Sequence, residues 1–362
     1  MASTKLFLLL ALFSMPAYAE DISPSATNSP IQFSGYFESY YTHAFNDADN
    51  HRQPPFVYSH NVTNSPSINL ALIKTSLQAE RIRANLALAA GTYMRANYAA
   101  EPEGLRNIYE ANVGLKLSDQ HQVWLDVGVM PSHIGAESAI GIDNWTLTRS
   151  LMADNSPYFE TGAKLSYTSE DGQWMASGLL LTGWQRIQRP NDNTMPAIGH
   201  QLTYKPNQKI TINSSAFIGN DKSDQDRQMR YFHNLYGQFQ LNDHWDILAV
   251  FDIGAEQAHP HSDRYHVWFS PALMARYTCN DDLRFAARVE YYQDKHGIII
   301  QTDTPNGFQT LGVSVNMDYT LSRYAVLRAE LKQLQSRDAL FDDNGRLRDS
   351  SLLATTALTL RF

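Results

Sequence analysis

The stretch ATTALTLRF, residues 354–362, decides the reading of this chain. Ala354, Thr356, Leu358, Leu360 and Phe362 fall on one face of an extended segment; Thr355, Ala357, Thr359 and Arg361 fall on the other. A period of two sends successive side chains to opposite sides of a sheet. One side is apolar, the other polar, and no soluble tail follows Phe362. Such an ending suits a last strand that pairs with the first strand of the same chain and leaves no edge. A closed sheet is one of the two ways a backbone crosses a bilayer with its polar groups satisfied. The expectation is an all-β fold, a transmembrane antiparallel β-barrel, whose other strands repeat the two-faced pattern.

They do. Val123, Leu125, Val127 and Val129 alternate with Trp124, Asp126 and Gly128. Phe285, Ala287, Val289 and Tyr291 alternate with Arg284, Arg288 and Glu290, and Ala325, Leu327, Ala329 and Leu331 with Arg328, Glu330 and Lys332. Charge keeps to one face because a lipid-facing charge at the midplane costs roughly 2–4 kcal/mol. Segments near 70–77 and 174–184 alternate less cleanly. Seven tight connections rich in Asn, Asp, Gly and Pro, such as Glu170-Asp171-Gly172, carry residues that tolerate turn dihedrals. They alternate with eight long polar segments, 46–65, 98–106, 131–157, 187–195, 221–228, 257–264, 295–305 and 336–349. Sixteen strands result, or fourteen to eighteen if the less regular segments divide differently. Sorting of connections by length is the arrangement of bacterial barrels, with short periplasmic turns and long external loops. Aromatic girdles are expected at strand ends: Tyr167, Tyr204, Trp245, Tyr277, Tyr319 and Phe362 on the turn side, Tyr41, Tyr98, Tyr231 and Tyr291 on the loop side.

Lys5, the apolar run Leu6 to Phe13 and the small-x-small site Ala17-Tyr18-Ala19 read as a signal peptide, residues 1–19. Export by the Sec route and a mature single barrel domain, 20–362, are expected. No other apolar run is long enough for a spanning helix. A formal net charge of −8 argues against a nucleic-acid partner. Cys279 is the only cysteine, so neither an internal disulfide nor a cysteine metal site is available. His259, His261 and His266 match no common metal spacing. No cofactor or metal is expected.

The segment SHIGAESAIGIDNWTLTRSL, residues 132–151, preceded by VWLDVGVMP, resembles the motif region of the OmpL-like β-barrel porins. FSGYFESYY, residues 33–41, is similar to that family's first strand, and with LTLRF the resemblance spans nearly the whole mature chain. It implies an outer-membrane barrel with a channel and names no substrate. The ending, with Leu358, Leu360 and Phe362, also resembles the signal read by the barrel-assembly machinery, an expected partner beside outer-membrane lipid.

A barrel of this size leaves an aqueous lumen, whose selectivity depends on its diameter and wall charges. Expected pore-lining residues are Arg81, Arg83, Asp126, Asp252, Arg276, Arg284, Arg288, Glu290, Arg328, Glu330 and Lys332; Arg95 shares the third strand's inner face. The segment 131–157, though long, carries Ile134, Ile140, Ile142, Trp145, Leu147, Leu151 and Met152. So much apolar surface should pack rather than stay in water, and the lumen is the available place. Glu137, Asp143 and Asp154 would then oppose the wall arginines, with Arg149 pairing one acid. The expected function is passive diffusion of small hydrophilic solutes, with anions favoured by Arg284, Arg288 and Arg328. A homotrimer is expected by analogy with general porins. The alternative is a scaffold whose external loops bind a partner or surface. Catalysis has little support: His133 beside Ser132, and His200, lie in no nucleophile motif.

Overall fold

The computed structural model describes residues 29–46 and 51–362; the expected signal peptide lies outside them. Eighteen strands follow in chain order: β1 Ile31–Ala44, β2 Ser67–Gln78, β3 Ile82–Ala90, β4 Ile108–Lys116, β5 Gln122–Pro131, β6 Phe159–Thr168, β7 Trp174–Leu181, β8 Ala197–Asn207, β9 Ile210–Gly219, β10 Arg230–Gln240, β11 Trp245–Gln257, β12 Tyr265–Thr278, β13 Leu283–Asp294, β14 Phe308–Ser322, β15 Ala325–Ser336, β16 Phe341–Asp343, β17 Arg346–Arg348 and β18 Ser350–Arg361. Sixteen form one closed antiparallel barrel, and β16–β17 is a small hairpin within the last external loop. All seven tight connections join neighbouring strands at one end, and the eight long ones gather at the other.

The seam closes between β1 and β18, in a register that sets Phe37 opposite Leu360 and Tyr41 opposite Thr356. Gly35 N–H donates to the Phe362 carbonyl at 2.9 Å, and Phe362 N–H donates back at 3.2 Å. The Phe362 ring occupies the space a side chain at Gly35 would need. Leu358, Leu360 and Phe362 are exposed on the outer, lipid-directed face, as the alternation requires.

Two strands depart from the expected pattern for local reasons. β3 stops at Ala90, because Gly91 takes a positive φ of 133° and turns the chain into a one-and-a-half-turn helix, α1, Thr92–Asn97. Arg95 therefore sits exposed on a helix, and Tyr98 is fully buried rather than part of a girdle. Arg81 lies in the β2–β3 turn, 3.3 Å from Asp119 of the next turn, and does not line the lumen. A register shift between Glu38 and Ser39 leaves Asn69 and Leu70 both buried, and the unclear alternation near 70–77 reflects Leu70 and Leu72 facing inward into the apolar cluster.

A typical membrane barrel of this size would keep a wet interior. Here one contiguous apolar cluster lies inside the wall. Inward-facing Leu179, Leu181, Phe217, Phe232, Leu248, Val250, Trp268 and Met274 pack there with Ile134, Trp145, Leu151 and Met152 of the loop after β5. The core of this molecule is the contents of its own lumen.

Candidate functional site: the loop-filled lumen

The loop from 132 to 158 enters the barrel and crosses it. Its path contains a short 3-10 turn, Gly141–Asp143, and one helical turn, α2 Leu151–Asp154, whose N-cap Ser150 accepts from Ala153 N–H. The backbone groups of such irregular chain need partners once buried, and the wall of β13–β15 supplies them. Asn316 accepts from Leu147 N–H at 3.0 Å and donates to Trp145 C=O at 3.2 Å. Glu330 accepts from the Thr148 hydroxyl at 2.9 Å and the Thr148 N–H at 2.5 Å. Arg288 donates to the Thr146 hydroxyl at 2.6 Å and Thr148 C=O at 2.8 Å. Arg328 donates to Gly141 C=O at 2.6 Å and Asn144 C=O at 2.9 Å, and Lys332 to Arg149 C=O at 3.0 Å. Glu290 accepts from Leu151 N–H.

These wall charges also neutralise one another. Arg288 lies 3.2 Å from both Glu290 and Glu330, Lys332 lies 3.3 Å from Glu290, and Arg328 lies 2.7 Å from Asp318. Arg288, Glu290, Arg328, Glu330 and Lys332 all point inward, but each is buried beneath the loop. A solute in the lumen therefore does not meet the expected open basic wall there. Alternation tells which face a side chain takes; it does not tell that a loop covers that face. Their geometry is that of a socket for the loop.

Of the loop's charged residues, Glu137 and Asp143 face wall arginines as expected, whereas Arg149 and Asp154 do not follow the expected pairing. Arg149 is fully buried and donates to Leu147 C=O and Ala139 C=O, both at 3.0 Å, rather than pairing an acid. Glu137 accepts from Ser150 and stands 3.9 Å from Arg288. Asp143 pairs with Arg361 at 2.6 Å. Asp154 opposes no arginine: it accepts from Ser59 N–H at 3.1 Å, joining this loop to the first external loop. Burial pushes its carboxyl up to about 7, against the pull of Lys332 and Arg149.

Two buried His–Glu pairs, which carried no sequence signal of their own, fix the roots of the inserted loops. His133 Nδ1 lies 2.7 Å from Glu160, and Nε2 lies 2.8 Å from the Ala216 carbonyl. Both partners are acceptors, so both ring nitrogens carry protons when both bonds form. Burial alone would depress the imidazole, but Glu160 and the carbonyl outweigh it and hold His133 above its ordinary range. His60, in the first loop, lies 2.9 Å from Glu38, which also accepts from Tyr36 at 2.6 Å and Asn69 at 2.7 Å.

Towards the turn side the inner wall stays polar and partly exposed. Arg83 grips Asp126 at 2.7 Å and lies over the Trp124 ring; Lys74 pairs with Glu110 at 2.6 Å. Arg276 pairs with Asp246 at 2.9 Å beneath Trp145. Asp252 is buried against Asn234 at 2.5 Å. Arg284 is exposed on the inner face, and neither it nor Lys164 makes an ion pair among the described residues. His200 and His233 face outward, and His266 stacks on His296; no metal-binding group of three or more ligands exists among the described residues.

No curated protein matches the chain. Among solved structures, the barrel is similar to OmpT of Vibrio cholerae, with TM-score 0.60 at 10% identity, covering 92% of this chain and 97% of that one. It is similar to an anion-selective porin from Comamonas acidovorans, with TM-score 0.60 at 10% identity, covering 92% and 99%. It is also similar to OmpF of Salmonella typhi, with TM-score 0.57 at 11% identity, covering 92% and 97%. At such identities the likeness is one of fold. The family described as "Putative beta-barrel porin-2, OmpL-like" matches residues 30–362. The chain belongs to that family, and is an outer-membrane β-barrel porin.

Proposed function

We propose that this porin is a narrow diffusion channel for small hydrophilic solutes, with the 131–157 loop as its constriction. The single observation that carries this reading is the socket on β13–β15, which holds the loop across the lumen by hydrogen bonds from six wall side chains. Solutes would pass beside the loop into the turn-side vestibule lined by Arg83, Arg276 and Arg284. Because Arg284 and Lys164 lack acid partners among the described residues, the vestibule carries a surplus of positive charge, which favours anions modestly. Planar-bilayer recording of the folded, purified protein tests the reading: small discrete conductance steps are expected. A correctly folded barrel that never conducts would overturn it.

The barrel also suits a trimer. Outward aromatic residues mark β1, β6–β8 and β10–β14, while β2–β5 expose no large aromatic ring and present aliphatic side chains such as Ile73, Leu86, Leu88, Val113 and Val127. Aromatic rings prefer lipid–water interfaces, so a sector without them suits contact with another subunit. One related structure is described as a trimer form. Chemical cross-linking in native membranes should give a three-subunit ladder that Leu86→Trp weakens; a single monomer band would remove the trimer.

A further inference from the structure

The outer wall carries two clefts that run into one another at the external rim. The lower, about 530 Å³, is almost wholly apolar. Ala71 and Ile73 of β2 form its floor, Phe37 of β1 and Leu88 of β3 flank it, and the Phe362 ring lies at its turn-side end. The register sets Phe37 beside Ala71 and Ala71 beside Ala90, so small side chains leave a furrow between larger ones. The upper cleft, about 780 Å³, shares Ala90 and Asn107 with the lower and lies against α1. Arg95 and Arg106 line it, and both are exposed. Arg106 donates to Glu101 C=O at 2.8 Å and Ala99 C=O at 3.1 Å, bonds that fix the guanidinium and cancel no charge. Neither arginine forms an ion pair among the described residues, and Glu103, the acid in the same lining, forms none either. β3 ends at Ala90 after 9 residues, about the span of a membrane strand, so the arginines stand where the wall leaves the hydrocarbon. At the loop ends of β1, β10 and β12 the outward residues are rings instead, Tyr41, Tyr231 and Tyr265.

We propose that the two clefts together hold one phosphate-bearing, acylated glycolipid of the outer leaflet, its phosphate on Arg95 and Arg106 and an acyl chain in the furrow over β2. Guanidinium and phosphate match in shape and charge, and basic pockets at a membrane surface select lipid headgroups. Two cations against one acid leave the upper cleft a positive surplus. The furrow opens to the bilayer and is continuous with that cleft, so it suits a chain tethered to the anion rather than a free anion. The rest of the aromatic-free sector, β2–β5, presents no outward carboxylate. A second copy of this chain applied through the same sector would therefore leave both arginines without an acid. The site lies at the β1 margin of that sector and does not depend on the trimer. The lipid takes the place of the missing rings as the anchor of this part of the rim.

The test is the binding of a fluorescent, bis-phosphorylated lipid A to the folded, detergent-solubilised protein, read by anisotropy beside the dephosphorylated lipid. The phosphorylated form should bind about tenfold more tightly or better, since it alone makes the charge-assisted contacts. Arg95→Gln with Arg106→Gln should erase that preference, and Glu103→Gln should enlarge it. Ala71→Phe, which fills the furrow with another side chain a lipid face accepts, should weaken both lipids alike. Inorganic phosphate at millimolar concentration should not displace the bound lipid. Equal binding of the two lipids, or a preference that survives in the double arginine variant with normal heat-modifiable mobility, overturns the site. Displacement by inorganic phosphate would make it a free-anion site and overturn the lipid. Lipid binding that survives Ala71→Phe while cross-linked oligomers disappear would assign the furrow to a second subunit, and the lipid reading falls.

Discussion

The inserted loop lies between two unlike walls. On β13–β15 it is held by directional bonds from Arg288, Glu290, Asn316, Arg328, Glu330 and Lys332. Across the lumen, on β7–β12, it meets Leu179, Leu248, Val250, Trp268 and Met274, which offer only shape and hydrophobic contact. Hydrophobic burial is non-directional and follows area; hydrogen bonds to a buried backbone fix register. The polar wall therefore sets where the loop sits, and the apolar wall sets how firmly it is pressed there. A lumen built this way keeps one loop position yet tolerates a change of volume on one side.

The largest expected effect comes from breaking the polar wall. Arg288→Ala should strand Glu330 as a buried acid without an ion-pair partner and leave Glu290 to Lys332 alone, at about 3–5 kcal/mol. We predict a lower temperature for loss of the heat-modifiable gel form and larger, noisier conductance steps; unchanged steps would show that the socket does not position the loop. Next comes the loop's own apolar contact with the facing wall. Leu151→Ala, at a fully buried position, should cost about 2–5 kcal/mol with step size altered less than by Arg288→Ala. The reverse ranking would invert the comparison.

A pH series sharpens it further. His133 has a raised imidazole in the fold, so its contribution is complete below the ordinary range and lost as pH climbs through the elevated value. It faces Glu160 and, at longer range, Lys164. Asp154 is raised to about 7, so its folded state binds a proton the unfolded chain has released. Its destabilising contribution therefore grows as pH rises from the ordinary carboxylate range towards that value. Both groups loosen the loop in the same direction. Conductance should rise between about pH 5 and pH 8, and His133→Gln with Asp154→Asn should flatten the profile; a flat wild-type profile would discount both groups. The smallest effect belongs to Arg284→Ala, which should move the reversal potential in a salt gradient by a few millivolts towards cations, leaving step size nearly unchanged. No movement would mean that vestibule charge does not sort ions.

The barrel itself was legible in the chain because its physics is local: alternation of Leu327, Ala329 and Leu331 with Arg328, Glu330 and Lys332 needs no knowledge of distant residues. The length sorting of connections and the apolar surplus of 131–157 also pointed inward correctly, since surface must be buried somewhere. What stayed hidden was the pairing. Nothing near Thr148 in sequence announces Glu330, and His60 offers no period linking it to Glu38. Arg288 and Arg328 read as a solute-facing wall because a period of two assigns a face, whereas exposure depends on a loop arriving from elsewhere. The early end of β3 was missed for a smaller reason: Gly91 has a conformation available that alternation cannot weigh.

One feature of the socket bears on the life history of the molecule. Leu147 meets Asn316 across 169 positions of chain, Thr148 meets Glu330 across 182, and Gly141 meets Arg328 across 187. Contacts so distant in sequence form late, because the entropy of closing the intervening chain must be met first. The inserted loop is emitted early yet has no seat until β13–β15 are in place. Seating of the loop is thus a late step that waits on the C-terminal third of the chain.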